Sequence, residues 1–337
     1  MATPAARAVP EQLAEGILAG QRRALARAIT LIESSRADHR EQAAQLLELL
    51  GPHAGGATRV GISGVPGAGK STFIEAFGLQ VIERGRKLAV LSVDPSSALS
   101  GGSVLGDKTR MELLSRDSRA FIRPSPAGRT LGGVARRTRE SILLCEAAGF
   151  DLLLVETVGV GQSEIAVAEM TDMFLLLLLP GGGDDLQGIK RGIMEMADLI
   201  LVNKADGDLL PAANRTVSDY RNALRLLHPR SKHWQVPVRG ISSLERRGVD
   251  QTWQTIDEFW QTMQAHGEIE RRRAEQARAW LWNEIQDGLM TAFRAAPAVQ
   301  QALPTVEDEV AGQRLPPTTA ARRLLDLLID KSNNQGT

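Results

Sequence analysis

Between about residue 58 and residue 265, short apolar runs alternate with amphipathic stretches. VGISG, LAVLSVD, DLLLVET, MFLLLLLP, LILVNKAD and WQVPVRGIS are each followed by a segment with apolar positions at helical spacing. That alternation predicts parallel strands joined by helical crossovers. The runs are apolar almost without interruption, as strands are when helices cover both faces of their sheet. The five consecutive leucines of MFLLLLLP therefore predict a central strand.

The flanks read differently. Leu13, Ile17, Leu25, Ile29, Ile32, Leu46, Leu47 and Leu50 fall at helical spacing, interrupted by the polar ESSRADHREQ, which predicts two or three helices. GPHAGGATR, 51–59, reads as a linker. Beyond residue 265, EIERRRAEQARAWLWNEIQDGLMTAF predicts one long helix with Ala274, Ala277, Leu281, Ile285 and Leu289 along a stripe; Pro-bearing turns and a last helix near 318–330 follow. The expected organisation is an N-terminal helical extension over 1–55, an α/β domain over 56–265 and a C-terminal helical arm over 266–337.

A chain of 337 residues can bury a sizeable core and carry such extensions. Forty basic residues balance forty acidic ones, so net charge favours neither nucleic acid nor an anionic membrane surface as partner. A protein or small-molecule partner is expected. The single cysteine, Cys145, falls in SILLCEAAGF at the end of an apolar helix, so one chain offers neither a disulfide framework nor a thiolate cluster. The N-terminus MATPAARAVPEQLAEG lacks a basic segment followed by an apolar core, and MFLLLLLP is too short to span a bilayer. A cytoplasmic location is the expectation.

The strongest local signal is Gly64-Val65-Pro66-Gly67-Ala68-Gly69-Lys70-Ser71-Thr72 between the strand pattern VGIS and the helical pattern STFIEAFGLQVIER. In a P-loop the glycines let backbone N–H groups wrap phosphates, and the helix N-terminus adds positive partial charge. Lys70 then reaches the β- and γ-phosphates and the Ser71 hydroxyl can ligate Mg²⁺.

The base is addressed by Asn203-Lys204-Ala205-Asp206, at the end of LILV, where open α/β sheets bind ligands. An aspartate there can accept from the ring N–H and the exocyclic amine of guanine, and adenine lacks that donor pair. GTP and GDP are the expected ligands, with Lys204 over the base and Asn203 tying the loop to the phosphate side. Asp94 closes LAVLSVD and Glu156 closes DLLLVE, so both carboxylates face the crevice, as magnesium ligands or as helix caps. Gly159, in ETVGVGQSE, is placed for a backbone N–H to sense the γ-phosphate. The stretches 96–114 and 121–140 are Gly- and Ser-rich with scattered Asp107, Lys108, Arg110, Arg123 and Arg129; they suit a mobile switch, although each arginine alone reads as solvated surface.

VDPSSALSGGSVLGDKTRM, FIRPSPAGRTLGG, ETVGVGQSE, PGGGDDLQGIK and NKAD occur in this order, and with them the sequence resembles the MeaB/ArgK group along nearly the whole chain. These are GTPase chaperones of adenosylcobalamin-dependent methylmalonyl-CoA mutase. The resemblance implies a P-loop NTPase of the SIMIBI type with a mostly parallel sheet, working as a homodimer through its C-terminal arm. It implies that GTP binding and hydrolysis gate adenosylcobalamin delivery to the mutase and protect it. It assigns Lys70 and Ser71 to phosphate and Mg²⁺, and Asp94, Asp107 and Glu156 to the magnesium shell. Asn203, Lys204 and Asp206 read guanine, with Ser242, Ser243 and Leu244 in the last base-contacting loop, where the family more often has Ser-Ala at the two serines. Gln187 and Lys190, in GGGDDLQGIK, are its candidate signalling residues.

Val160 follows Gly159 and cannot orient water by a hydrogen bond, so slow intrinsic hydrolysis accelerated by the partner is expected. Two other roles use the same machinery. A metallochaperone would need a His- or Cys-rich delivery site, and five scattered histidines with one cysteine offer none. A kinase of a transport protein would leave a stable phosphorylated partner.

Overall fold

The computed structural model describes residues 9–34, 36–93, 111–124, 131–157, 163–181, 191–227 and 230–333. Asp94, Asp107, Gly159, Gln187 and Lys190 lie outside the described residues. The chain divides into two compact units, Met1–Glu270 and Arg271–Thr337.

The first unit is built on a seven-stranded sheet: β1 (Thr58–Gly64), β2 (Leu88–Val93), β3 (Ala120–Arg123), β4 (Leu152–Thr157), β5 (Met173–Leu178), β6 (Leu199–Val202) and β7 (Val238–Gly240). Their order is β3-β2-β4-β1-β5-β6-β7 and every pairing is parallel. The run of leucines is β5, an interior strand buried at every position. β3 departs from the sequence expectation, which leaves 121–140 as loop. AFIR is four residues long and is cut short by Pro124, too little for a periodic signal.

The described helices of this unit are α1 (Val9–Leu18), α2 (Arg22–Glu33), α3 (Ala37–Leu50), α4 (Lys70–Glu83), α5 (Glu112–Arg116), α6 (Leu131–Ala147), α7 (Ser163–Ala168), α8 (Arg191–Met196), α9 (Leu210–Leu224) and α10 (Val249–Ala265). The three N-terminal helices pack on one another and on α6, burying Ile17, Leu25, Ile29, Leu46 and Leu50. Arg123 of β3 pairs with the Glu33 carboxylate of α2, which gives this arginine a structural partner. Residues 131–140, expected as loop, form the first part of α6, which runs on through the expected helical segment that carries the buried Cys145. Burial pushes that thiol up beyond the range of ordinary titration.

Phe73, Ile74, Phe77 and Val81 of α4 pack with Phe259 and Met263 of α10 and with strand residues such as Ile62, Val90, Leu154 and Leu175. At the amino end of β1 a buried ion pair fixes the entry to the sheet. Arg59 donates to both Glu146 oxygens at 2.8 Å, and the Gly55 N–H adds a third bond to that carboxylate at 2.8 Å. A further hydrogen bond of this kind helps a buried pair to offset its desolvation.

Gly267, at φ 66°, separates α10 from the long helix α11 (Glu268–Ala295). In the second unit α12 (Pro297–Ala311) and α13 (Pro317–Asn333) pack around Val306, Ala320 and Leu324, with Phe293 of α11 alongside. The sequence predicts Pro-bearing turns where α12 stands. Pro297 instead occupies the first helical turn, where its missing N–H costs nothing, and Pro304 is carried inside the helix. Leu281, Ile285 and Leu289 of the predicted stripe are exposed. Among the described residues no helix is long and apolar enough to cross a membrane.

Candidate nucleotide site

The site forms where β1 ends. A side chain at Gly64 would place its Cβ 2.2 Å from the Leu177 backbone oxygen, so the loop leaves the sheet through a gap only glycine fits. Gly67 and Gly69 have φ of 82° and 84°, and Gly69 caps α4 in the left-handed region. Val65 packs toward the core, Ala68 is buried and Pro66 is exposed. Lys70 and Ser71 open α4 half-buried, with Thr72 exposed beside them. This is a helix N-terminus preceded by glycines, the arrangement that accepts phosphate oxygens.

Lys70 folds back on its own loop, donating from Nζ to the Gly64 carbonyl at 2.6 Å. Burial lowers its pKa, and the nearby Glu156 and Glu164 carboxylates pull it back up. A lysine held this way is a charge waiting for an anion to replace the carbonyl.

Asn203 joins the phosphate side to the base side. Its Nδ2 donates to the Ala68 carbonyl at 2.8 Å, while its Oδ1 accepts from the Ser243 N–H at 3.1 Å and the Ser243 hydroxyl at 2.8 Å. The side chain is 2% exposed, so all three bonds are made away from water. Ser242 donates from its hydroxyl to Asp206 and accepts the Glu245 N–H at 3.1 Å. The Ala205 N–H donates to the Ile241 carbonyl at 2.9 Å, and Arg247 donates to the Ala205 carbonyl at 2.7 Å. Lys204 is exposed at φ 57°, and Leu244 is exposed at 82%. The structure therefore brings Ser242 and Ser243 against Asp206 and Asn203, and leaves Leu244 and Lys204 as the outward faces of the same two loops.

Glu156, next to last in β4, is buried and accepts from the Ser92 hydroxyl at 3.0 Å. Next to it Thr157 donates to the Ser63 hydroxyl of β1 at 3.0 Å. Ser71 and Glu156 are the described residues that could hold Mg²⁺: hard oxygen donors, one of them a buried carboxylate close enough to Lys70 to shift it.

Several contributors escape the sequence reading. Glu164, the last residue of ETVGVGQSE, is a buried carboxylate on α7 that acts on Lys70. Ser63, Ser92 and Thr157 link neighbouring strand tips, and Arg247 braces the base loop. For Ser92 a signal exists: it is a polar position in an otherwise apolar run, opposite Glu156 in the ladder. For Glu164 none does, because a six-residue helix is too short for periodicity to reveal which face is covered.

Comparison with known proteins gives concordant matches. Residues 25–298 match the family described as methylmalonyl Co-A mutase-associated GTPase MeaB. A Caulobacter vibrioides protein is 55% identical over 316 residues, covering 94% of this chain and 96% of its own. A Mus musculus protein named methylmalonic aciduria type A homolog, mitochondrial, is 50% identical over 325 residues, covering 94% of this chain and 78% of its own. A solved structure of a protein called LAO/AO transport system kinase superposes with a TM-score of 0.75 at 37% identity, covering 97% of this chain and 99% of that one.

Proposed function

The chain belongs to the MeaB family of methylmalonyl-CoA mutase-associated GTPases, and from that premise we propose that its GTP cycle gates adenosylcobalamin delivery to such a mutase and protects it. It is a P-loop GTPase; the mutase as client is the proposal. The observation that carries the nucleotide part is the Asn203 carboxamide, which makes the phosphate loop and both base loops one hydrogen-bonded body. A client that distorts one loop acts through that body on the others.

GTP binds with its phosphates on the loop amides of 64–71 and its base against Asp206, whose carboxylate accepts both guanine donors. Lys70 exchanges the Gly64 carbonyl for a phosphate oxygen and so concentrates positive charge where negative charge develops during transfer to water. Ser71 and Glu156, with Asp94 and Asp107, would hold Mg²⁺, which neutralises charge on the β- and γ-phosphates. Glu156 and Glu164 keep Lys70 protonated against the effect of burial. No described side chain is assigned to orient the attacking water, so hydrolysis is slow until the client completes the site. Gly159, Gln187 and Lys190 carry the signal between nucleotide and client.

The exposed Leu281, Ile285 and Leu289 support a homodimer built through the C-terminal arm, since one chain alone leaves this stripe in water. We place the protein in the cytoplasm, with no role at a membrane or on nucleic acid. The likeness to a protein called a transport system kinase supports a second reading, phosphoryl transfer to a partner protein.

The test is transfer of adenosylcobalamin to apo-mutase, followed by its absorbance, in the presence of this protein with GTP, GDP or no nucleotide. Transfer that depends on nucleotide state supports the gate. Transfer indifferent to nucleotide rejects it, and a stable phosphorylated partner would favour the kinase reading.

A further inference from the structure

At the amino ends of β6 and β7, across the sheet edge from the nucleotide loops, lies a second cavity of about 640 Å³. That volume falls in the range of small-molecule sites. Its lining carries Arg221, Arg225, Arg230 and Arg239, opposed by Glu195 as the one carboxylate among the described lining residues. Between the arginines the wall is apolar, made by Leu224 and Leu227 on one side and by Val236 and Pro237 on the other.

Two of the arginines also serve the fold. Arg221 donates to the Val238 carbonyl at 2.9 Å, and Arg230 stands 3.9 Å from the Asp198 carboxylate. Such bonds fix where the guanidiniums sit, and each guanidinium has five donors in a rigid fork. Arg239 is different. Its Nε is buried and has no hydrogen-bond partner among the described residues. A buried donor without an acceptor costs free energy that the fold alone does not recover, and an anion in the cavity would recover it. Gathering like charges around one concave, partly apolar space also carries a cost that the same anion relieves.

We propose that this cavity binds a small phosphate ester with an apolar body, the phosphate among the guanidiniums and the body against Leu224, Leu227, Val236 and Pro237. The planar fork of arginine suits a phosphate, a dianion matches the excess of the four arginines over Glu195 and the Asp198 carboxylate beside Arg230, and the apolar wall selects an ester over free phosphate. The site is separate from the P-loop and can be filled while a nucleotide is bound.

The probe is phenyl phosphate, titrated calorimetrically into the full chain saturated with GDP and Mg²⁺, so that the P-loop cannot report. Saturable binding is expected, weaker for inorganic phosphate and absent for phenol, with affinity lowered about tenfold or more in Arg225→Gln and Arg239→Gln as a charge-assisted contact is lost. Arg239→Gln alters a strand residue; Arg225 is exposed just past the end of α9, so its variant keeps the test independent of folding. Loss in either variant with GDP affinity intact upholds the site. Absence of saturable binding, or binding in both variants as tight as in the unsubstituted chain, overturns it. GDP affinity is read separately, so failure of the nucleotide assignment is distinguishable from failure of this one.

Discussion

The Asn203 carboxamide donates to the Ala68 carbonyl at 2.8 Å across 135 residues of sequence, tying the base-reading loop to the phosphate loop. Because its other end holds Ser243, truncation strands groups on two other loops at once. Asn203→Ala should cost about 2–3 kcal/mol of stability, the penalty for leaving buried partners unsatisfied. It should also weaken GDP binding, because the two halves of the site no longer share one geometry. Chemical denaturation and GDP titration on the same variant check both effects; unchanged GDP affinity would make the link merely structural.

Gly69 should tolerate no side chain. Its φ of 84° makes an alanine strained by about 1–2 kcal/mol. The added Cβ would also stand 2.6 Å from Asn203 Nδ2 and displace it. Gly69→Ala should therefore lower nucleotide affinity by about tenfold or more while the fold survives, as read by GDP titration beside a thermal melt.

Lys70 gives the nucleotide-free protein an alkaline signature. Burial lowers its pKa below the ordinary 10.5, with Glu156 and Glu164 opposing. Between the lowered value and 10.5 the unfolded chain binds more protons than the folded one, so this group makes stability rise with pH across that window. Below the window lysine is charged in both states and its contribution is constant. Lys70→Met should abolish hydrolysis and remove the rise, so its stability difference from wild type changes only within the window. A difference independent of pH there would contradict the buried-charge assignment.

Asp206 should decide the base. Asp206→Asn replaces an acceptor pair by an amide that donates from one side, so GTP affinity should fall by about tenfold or more. Xanthosine triphosphate, which presents an acceptor where guanine has its amine, should be favoured instead. Competition between the two triphosphates for the variant measures the exchange.

Much of this architecture is written locally. The uninterrupted apolar runs mark β1, β2, β4, β5 and β6, because a sheet covered on both faces needs no alternation. The Gly64–Ser71 loop and the 203–206 tetrad are legible since glycine conformation, amide geometry and guanine donors each demand a residue type at a fixed spacing. What escapes the sequence is tertiary. β3 is too short to show a period, and helix Pro297–Ala311 hides behind prolines that signal turns elsewhere. That Asn203 bonds Ala68, or that Glu164 acts on Lys70, depends on strand order, which no local pattern encodes.

The central claim is a GTPase whose cycle is read by a mutase. Its most direct test is nucleotide hydrolysis by the purified protein with and without a cobalamin-dependent acyl-CoA mutase, with ATP as the control. A slow rate that the mutase accelerates, for GTP and not for ATP, is the predicted result. GTP hydrolysis indifferent to the mutase would keep the GTPase and contradict the chaperone role.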